Sequence, residues 1–330
     1  MSAAALRTRF NIVPHIIKAS APSFSLACNQ YKRIVHPVSA STPAVSTNAA
    51  TPPLLFAHAT GFHKELWEPI MARLTPPWGT GDMYAFDCRN HGDSAVLNKD
   101  VLEETFDWYY YAHDILQIVD TFDLKQPIAV GHSILAELIR PGTFSAIVAI
   151  DPTMFPSSMG KKIAINENLR EMTLRRRDTW INRAEAKAQF LKRPFFQAWD
   201  KEIMDIYIEY GLKDSVSAHG TQQVTLKTPK QQEAATFGSV VTGIQDAFER
   251  LGEIQVPIHV IAGETSDINP PELLDAKMQK IQQGSLDMMK GSGHLLNLEK
   301  PAETAKFVSV FLDRFMASQM ASGQTPGARL

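Results

Sequence analysis

The feature that most constrains this chain of 330 residues is the pentad Gly131-His132-Ser133-Ile134-Leu135. It follows an apolar run at residues 127–130, which predicts a buried strand in the centre of a sheet. A serine in a G-x-S-x-G pattern lies at a sharp turn between a strand and a helix, with its hydroxyl exposed. The glycines are required because a side chain would collide with the neighbouring strand or helix. Here Leu135 stands where the second glycine belongs.

The order of the reactive residues along the chain is typical of nucleophilic catalysis. Ser133 is followed by acids at Asp151, Glu264 and Asp267, and then by His294 in a Gly-Ser-Gly-His segment. A serine hydroxyl is a poor nucleophile unless a base takes its proton, and the base needs an acid to fix its tautomer. The order serine, acid, histidine is that of a known catalytic triad. The sequence therefore predicts Ser133 as the nucleophile and His294 as the base.

Two further segments lie upstream in the order that such a site requires. Residues 54–62 read Leu-Leu-Phe-Ala-His-Ala-Thr-Gly-Phe, and residues 87–94 read Asp-Cys-Arg-Asn-His-Gly-Asp-Ser. Together with the serine pentad and the histidine segment, they resemble the oxyanion loop and the Asp-x-Arg-Gly-His-Gly-x-Ser turn of the α/β-hydrolase superfamily. The resemblance covers roughly residues 54 to 315. It implies an α/β fold in which a mostly parallel central sheet carries a helical cap insertion.

The resemblance also implies the remaining site residues. The acid is expected at Asp267. Because the loop before Asp267 is one residue longer than the usual Gly-x-x-Asp, Glu264 is the first alternative, and Asp151 is the last. The backbone N–H groups of Thr60 and Ile134 are expected to form the oxyanion hole. Four side chains are candidates for substrate contact or for packing beside it: His58, Phe62, His63 and Trp67.

Strand and helix patterns alternate along the chain, which favours a mostly parallel sheet. The predicted strands are at residues 54–59, 82–87, 127–133, 146–151, 257–264 and 285–290. Residues from 156 to about 250 interrupt the alternation and predict helices throughout, as in a cap over the site. The predicted division is a basic N-terminal segment and linker (1–53), a core (54–156 plus 251–317), a cap (157–250) and a flexible tail (318–330).

A narrower resemblance connects residues 9–15 and 56–69 with fungal peroxisomal α/β-hydrolases, which include toxin-biosynthesis hydrolases and a yeast peroxisomal lipase. It implies a serine esterase, lipase or thioesterase that acts on an ester or thioester of an acyl or polyketide-like substrate, in lipid or toxin (secondary) metabolism. The last three residues, Ala328, Arg329 and Leu330, have the chemistry of a C-terminal Ser-Lys-Leu address. They predict a peroxisomal import receptor as a partner.

The amino-terminal segment carries a competing signal. No Asp or Glu precedes Glu65, whereas the first 53 residues contain five Lys and Arg residues: Arg7, Arg9, Lys18, Lys32 and Arg33. A basic start rich in Ser and Ala is typical of a mitochondrial transit peptide. The alternative is a pair of strands with a basic surface, one of them at residues 24–35. The predicted location is the peroxisome, with the mitochondrion or the cytoplasm as alternatives.

Composition and motif content exclude several other classes of function. A net charge of −2 gives no reason to expect a nucleic-acid partner. The only cysteines, Cys28 and Cys88, do not make a disulfide framework. No apolar run approaches the ~20 residues of a transmembrane helix. Because the sequence also lacks a His-Glu-x-x-His run and glycine-rich phosphate loops, it predicts no metal and no other cofactor.

The connection that follows Ser133 is short. Twelve residues, 134–145, precede the next predicted strand, and a parallel crossover needs about 10–12 at minimum. Compared with the spacing in the α/β-hydrolases that the chain resembles, this implies a small deletion of the second elbow glycine and part of the next helix, through a gene-model or splicing error or in a true isoform. The alternative function is therefore a catalytically impaired scaffold that binds an acyl ligand or a partner. Other chemistries on this fold, such as epoxide hydrolysis, normally attack with Asp, and Ser133 argues against them.

Overall fold

A central sheet of eight strands organises the part of the chain that the computed structural model describes, residues 6–34, 51–74, 81–131, 134–159, 163–239 and 242–321. The strand order is β1-β2-β4-β3-β5-β6-β10-β11. The neighbours from β4 to β11 are parallel, whereas β2 is antiparallel to both β1 and β4. The strands of this sheet are β1 (Phe10–Lys18), β2 (Ser25–Arg33), β3 (Leu54–Ala57), β4 (Met83–Phe86), β5 (Ile128–Gly131), β6 (Ala146–Ile150), β10 (Ile258–Gly263) and β11 (Gly284–Met289).

The six strands predicted from the sequence are confirmed, each with ends within a few residues of the expected ones. Strands β3 to β6 and β10 are buried along their whole length. Successive side chains of a strand point to opposite faces of the sheet. Because every residue of these strands is buried, both faces are covered. In β5, Ile128 and Val130 join one apolar cluster and Ala129 joins the other. The continuous apolar runs of the sequence are thus those of a parallel sheet buried on both sides.

Thirteen α-helices lie within the described residues, and two short 3-10 helices occur at Lys64–Trp67 and Leu251–Glu253. A helix at Trp108–Thr121 lies between the second and third predicted strands, in agreement with the expected alternation of strands and helices. The α-helices are α1 (Glu68–Met71), α2 (Gly92–Leu97), α3 (Trp108–Thr121), α4 (Ile134–Ile139), α5 (Ile163–Arg175), α6 (Arg183–Phe190), α7 (Pro194–Gln197), α8 (Lys201–Tyr210), α9 (Lys230–Phe237), α10 (Thr242–Glu249), α11 (Pro271–Lys280), α12 (Leu296–Glu299) and α13 (Pro301–Ala321).

The amino-terminal segment is built into the sheet. Strands β1 and β2 form an antiparallel pair, and β2 also pairs with β4. The side chains of Leu6 and Phe10 lie in the apolar core. This is the strand pair that the sequence offered as the alternative to a transit peptide. Residues 35–50, most of the predicted linker, lie outside the described part of the chain.

The insertion corrects one expectation, because residues from 156 to about 250 are not helical throughout. A three-stranded antiparallel sheet with the order β7-β9-β8 lies among its helices. Its hairpin turns at Gly220, whose φ is +77°, and the Ser217 N–H donates to the Thr221 carbonyl oxygen at 2.9 Å. Along β9 the buried Val224 and Leu226 alternate with the half-buried Gln223 and Thr225, a period of two residues that differs from the helical spacing expected here. The strands are β7 (Thr179–Trp180), β8 (Leu212–Val216) and β9 (Gln222–Leu226).

Candidate active site

The carboxyl ends of the central strands bring the candidate site residues to one edge of the sheet. Gly131, the last residue of β5, is paired with Ala57 at the end of β3 and with Ala149 in β6. Ile150 of β6 is paired with Ile261 of β10. In parallel α/β sheets, ligands bind outside this carboxyl edge. The loops that follow β3, β5, β6 and β10 therefore form the candidate site.

Gly131 shows why the predicted turn begins with glycine. Its φ is +111°, and a Cβ atom there would lie 2.1 Å from the carbonyl oxygen of Ala57 and 3.0 Å from the Trp67 ring. Backbone atoms cannot move out of such a contact, so every other residue is excluded. His132 and the predicted nucleophile Ser133 follow Gly131 and lie outside the described residues. Ile134, the predicted oxyanion-hole residue after them, is the first residue of α4.

His294 forms a close hydrogen bond with Asp151, and this pair is the chemical centre of the described site. The His294 Nδ1 atom lies 2.6 Å from Asp151 Oδ2, and the aspartate side chain is fully buried. Asp151 Oδ2 also accepts from the Ser266 hydroxyl at 2.6 Å, and Oδ1 accepts from the Gly263 N–H at 3.1 Å. An ionised carboxylate only accepts, so the imidazole proton lies on Nδ1 and Nε2 is available as a base.

Several donors keep the Asp151 carboxylate charged. Burial by itself would raise the pKa of Asp151, but the hydrogen bond and charge of His294, with the donors of Ser266 and Gly263, lower it below its usual value. The Asp151 backbone has a φ of +39°, in a region that non-glycine residues rarely adopt. Four hydrogen bonds hold this conformation. Three of them go to the side chain, and the fourth runs from the Asp151 N–H to the Ile261 carbonyl oxygen at 2.8 Å.

The structure corrects the order of the three candidate acids. Asp267, which the sequence favours, has an exposed side chain, and so does Glu264. Glu264 Oε2 accepts from the Gly291 N–H at 2.8 Å and so holds the histidine loop instead of the histidine ring. Asp151, the least favoured alternative, is the acid that contacts His294. The reason is sheet order: β6 and β10 are neighbours in space although more than a hundred residues separate them in the chain.

The loop that carries His294 is fixed by residues that the sequence analysis did not identify. The Thr265 N–H and hydroxyl both donate to the Ser292 carbonyl oxygen, each at 2.9 Å. A Cβ atom on Gly263 would lie 2.2 Å from the Gly293 carbonyl oxygen, so the two loops pack backbone against backbone. Thr265 and Ser266 directly follow a predicted strand, and two hydroxyl residues at such a position were the sequence signal that could have identified them.

The predicted oxyanion loop follows β3, and two of its backbone N–H groups donate within the protein. The Gly61 N–H donates to His91 Nε2 at 2.9 Å, and the Phe62 N–H donates to the Ala59 carbonyl oxygen at 3.2 Å. Among the described residues no acceptor pairs with the N–H of Thr60, which is half-buried. This arrangement is compatible with the oxyanion-hole role expected for Thr60.

His58 is held by the protein on both sides of its ring, which favours packing over substrate contact. Nδ1–H donates to the Ala59 carbonyl oxygen at 2.8 Å, and Nε2 accepts from the Cys88 N–H at 3.0 Å. Burial lowers the pKa of His58, which agrees with a neutral ring. The Tyr111 hydroxyl donates to the His58 carbonyl oxygen at 2.8 Å. His58 therefore stabilises the loop.

Of the other three predicted substrate contacts, one lies at an accessible position. Trp67 is buried in the core, with its ring 5.4 Å from that of Phe56. His63 is buried as well and bonds Glu65 Oε2 through Nδ1 at 2.9 Å. Phe62 is half-buried, and its ring lies 5.5 Å from that of Trp199 in the insertion. Only Phe62 remains a candidate for substrate contact.

A buried charge cluster made of Lys64, Glu65, Asp87 and Asp93 ties this loop to the turn after β4. Lys64 Nζ lies 2.8 Å from Glu65 Oε1, 2.9 Å from Asp87 Oδ2 and 2.6 Å from Asp93 Oδ2. Burial disfavours the charged lysine, but the three carboxylates raise the pKa of Lys64 well above its usual value. The three carboxylates therefore keep Lys64 charged, and the cluster fixes the base of the loop.

The sequence profile of the alpha/beta hydrolase family matches residues 54–307. The chain belongs to the alpha/beta hydrolase family. The fold class predicted from the sequence is thereby confirmed. The family assignment supports an enzyme of the hydrolase class.

Two curated fungal proteins are similar to this α/β-hydrolase. The peroxisomal membrane protein LPX1 of Saccharomyces cerevisiae is 23% identical over 341 aligned residues, covering 93% of this chain and 87% of the relative. The type I acyl-CoA thioesterase mpaH of Penicillium brevicompactum is 26% identical over 239 residues, covering 61% of this chain and 52% of the relative. The crystal structure of Lpx1, described as a peroxisomal alpha-beta-hydrolase, superposes with a TM-score of 0.78 at 22% identity and covers 94% of this chain and 90% of Lpx1.

In this α/β-hydrolase the crossover from β5 to β6 is short, but its turn is hydrogen-bonded to Glu137. Helix α4 has six residues, in agreement with the expectation of a short helix. Glu137 completes the turn after it, because its carboxylate accepts from the Gly142 N–H at 2.6 Å and from the Phe144 N–H at 3.1 Å. Leu135, at the position of the second elbow glycine, packs towards α10, with Cδ2 3.4 Å from the Cβ position of Gly243.

The insertion of this α/β-hydrolase reaches the oxyanion loop through a buried ion pair. Arg176 binds both carboxylate oxygens of Glu233 on α9. The carboxyl carbon of Glu233 lies 3.0 Å from the Cβ position of Gly61. No helix within the described ranges is long and apolar enough to cross a membrane.

Proposed function

We propose that this chain is a serine hydrolase that cleaves an ester or thioester of an acyl or polyketide-like substrate. Ser133 is the nucleophile, His294 the base and Asp151 the acid. The observation that carries the proposal is the 2.6 Å contact between His294 Nδ1 and the buried carboxylate of Asp151 at the carboxyl edge of the sheet. A histidine held in this way has the tautomer that a general base requires.

The proposed reaction has two steps. Ser133 Oγ attacks the carbonyl carbon while His294 Nε2 takes the hydroxyl proton, and Asp151 stabilises the imidazolium that forms. The backbone N–H groups of Thr60 and Ile134 stabilise the oxyanion of the tetrahedral intermediate. The intermediate collapses, the alcohol or thiol leaves with the proton from His294, and an acyl-enzyme remains. Water, activated by His294, then attacks the acyl carbonyl carbon and releases the acid and Ser133.

The substrate class is proposed from the relatives and from the apolar cap. One relative is named an acyl-CoA thioesterase, which supports an acyl thioester as a substrate. We propose that residues 157–250 form the cap over a core of residues 54–156 and 251–317. Phe62 of the oxyanion loop packs on Trp199 of this cap, and such aromatic surfaces suit an acyl chain. A role in lipid or toxin (secondary) metabolism remains part of this proposal.

A second candidate is favoured by the crossover after Ser133. Helix α4 has only six residues, and Leu135 replaces the second glycine of the G-x-S-x-G pattern. Both differences lie at the turn that positions the nucleophile. A folded chain with this change would be an impaired scaffold that binds an acyl ligand without turning it over.

Turnover by the purified full-length chain separates the two candidates. The substrates are p-nitrophenyl esters from acetate to palmitate and an acyl-CoA thioester followed through release of the thiol. We expect hydrolysis that falls roughly 10³-fold or more in Ser133→Ala and in His294→Ala, because each removes one member of the triad. A folded wild-type chain without turnover on every substrate would favour the scaffold.

We also propose that the protein acts in the peroxisome. A relative aligned over 93% of this chain is named a peroxisomal membrane protein. The C-terminal Ala328, Arg329 and Leu330, which lie outside the described residues, are the proposed signal for the import receptor. A fluorescent protein fused to the amino terminus should colocalise with a peroxisomal marker in fungal cells. Loss of colocalisation on deleting these three residues is the expected result, and unchanged colocalisation would refute the signal.

A further inference from the structure

Asn90 stands where the related turn motif has glycine, and its side chain is buried between the insertion and the oxyanion loop. Its Nδ2 atom lies 3.0 Å from the Thr236 hydroxyl and 3.3 Å from the Gln232 carbonyl oxygen, both on α9. A carbonyl oxygen can only accept a hydrogen bond. Asn90 must therefore present its amide nitrogen to α9 and its Oδ1 atom to His91.

His91 is fixed from the opposite side by the oxyanion loop. Its Nε2 atom lies 2.9 Å from the backbone nitrogen of Gly61, whose N–H can only donate, so Nε2 carries no proton. Its Nδ1 atom lies 2.7 Å from Asn90 Oδ1 and carries the ring proton. Two groups with a single possible role, the Gln232 carbonyl and the Gly61 N–H, thus set both the amide orientation of Asn90 and the tautomer of His91.

We infer that Asn90 and His91 are positioning residues that tie the oxyanion loop to helix α9 of the insertion. The Gly61 N–H lies in the same rigid peptide plane as the Thr60 carbonyl group, so holding this N–H fixes the backbone on the carboxyl side of Thr60. Thr60 carries the proposed oxyanion donor. A displacement of α9 therefore changes the alignment of that donor through Asn90, His91 and Gly61. This inference rests on the proposed function.

The arrangement requires a neutral His91, because an imidazolium would direct a second N–H towards the Gly61 N–H. The ionisable groups that face the ring are His58, with ring centres 5.3 Å apart, and Arg176 with its partner Glu233 above the loop. Burial lowers the pKa of His91 well below its usual value, and the positive charge of Arg176 lowers it further. The contact with Gly61 is therefore maintained at neutral pH.

Steady-state kinetics with a matched control test the inference. Asn90→Gly is expected to lower kcat roughly tenfold and His91→Leu roughly 10²-fold, with KM within about threefold, because the oxyanion forms only in the transition state. His91→Gln should retain more kcat than His91→Leu, since its Oε1 atom can accept from Gly61. The control is Thr228→Val, which removes a different buried hydrogen bond between the insertion and this turn. In that bond the Gly92 N–H donates to Thr228 Oγ1 at 2.9 Å. The kcat of Thr228→Val should stay within about twofold of wild type.

The tautomer of His91 provides a test that needs no activity. In wild-type protein with ¹⁵N-labelled histidine, NMR should show the His91 proton on Nδ1 from pH 6 to 8, with the signals assigned by their loss in His91→Leu. Asn90→Gly should shift the population towards the Nε2–H tautomer. An Nε2–H tautomer in the wild-type protein, or a kcat of Asn90→Gly equal to that of Thr228→Val, would overturn the inference. If the wild-type chain has no turnover, the proposed function is refuted. The NMR measurement of the His91 tautomer does not depend on turnover and would still test this inference.

Discussion

The substitution Asp151→Asn is expected to lower kcat by roughly 10⁴-fold while the protein stays folded. Asparagine keeps the shape of the side chain but carries no charge to stabilise the imidazolium of His294. Its amide also presents a donor to Nδ1, which favours the tautomer with the proton on Nε2, and that nitrogen can then no longer accept from Ser133. The measurement is kcat on the best ester of the panel, with circular dichroism to confirm the fold.

Asp267→Asn is the matched control, because it makes the same chemical change at an exposed carboxylate. Its kcat should stay within about twofold of wild type. Glu264→Gln should have a small effect, since an amide oxygen can still accept from the Gly291 N–H. If Asp267→Asn loses activity and Asp151→Asn keeps it, the acid assignment is wrong and the expectation from sequence is restored.

The second large effect is expected on stability, from Lys64→Met. Methionine fills a similar volume, but it leaves the carboxylates of Glu65 and Asp87 buried without a counter-charge. Removing one partner of a buried ionic group typically costs about 3–5 kcal/mol in the free energy of unfolding. Urea denaturation at pH 7 measures this loss. The control Lys125→Met removes an exposed ion pair with Asp123 and should change the free energy by less than about 0.5 kcal/mol.

The pH dependence of the Lys64→Met penalty identifies its cause. Burial would raise the pKa of Glu65, but Lys64 and His63 lower it in the native protein below the unfolded value near 4.5. This contribution to wild-type stability is therefore present above pH 4.5 and is lost as the pH falls through the lowered pKa. Without Lys64, burial raises the pKa of Glu65, and a protonated carboxyl needs no counter-charge. The stability difference should therefore shrink as the pH falls through the raised pKa of Glu65 in the variant, and shrink further below pH 4.5. A constant difference would point to lost packing instead.

The central sheet was predictable because its strands are buried on both faces. Runs such as Ile128–Gly131 and Ala146–Ile150 are almost continuously apolar, and this signal needs no knowledge of distant contacts. The hairpin of β8 and β9 could not be predicted from the sequence. Its half-exposed strands give only a weak alternation of polar and apolar residues, which lies beside the strong helical pattern of α8. Short strands at a surface are specified mainly by their pairing, which the sequence does not show.

The site was predictable only in part. Ser133 and His294 belong to local motifs whose glycines have a steric reason, as Gly131 shows. The choice of acid depends on which strand ends lie next to the histidine loop, and that depends on the order of strands in the sheet. Asp267 is near His294 in chain order, whereas Asp151 is near it in space. The bonds among Asn90, His91 and Gly61 likewise join two separate segments and leave no pattern in the sequence.

The most direct test of the central claim is labelling of the purified 330-residue chain with a fluorophosphonate, with the adduct located by mass spectrometry. These probes react with a serine that is activated by a base and an oxyanion hole. We predict an adduct on Ser133 that is lost in Ser133→Ala and strongly reduced in His294→Ala and Asp151→Asn, but not in Asp267→Asn. A folded wild-type chain that stays unlabelled would contradict the account and leave an α/β-hydrolase scaffold without a working nucleophile.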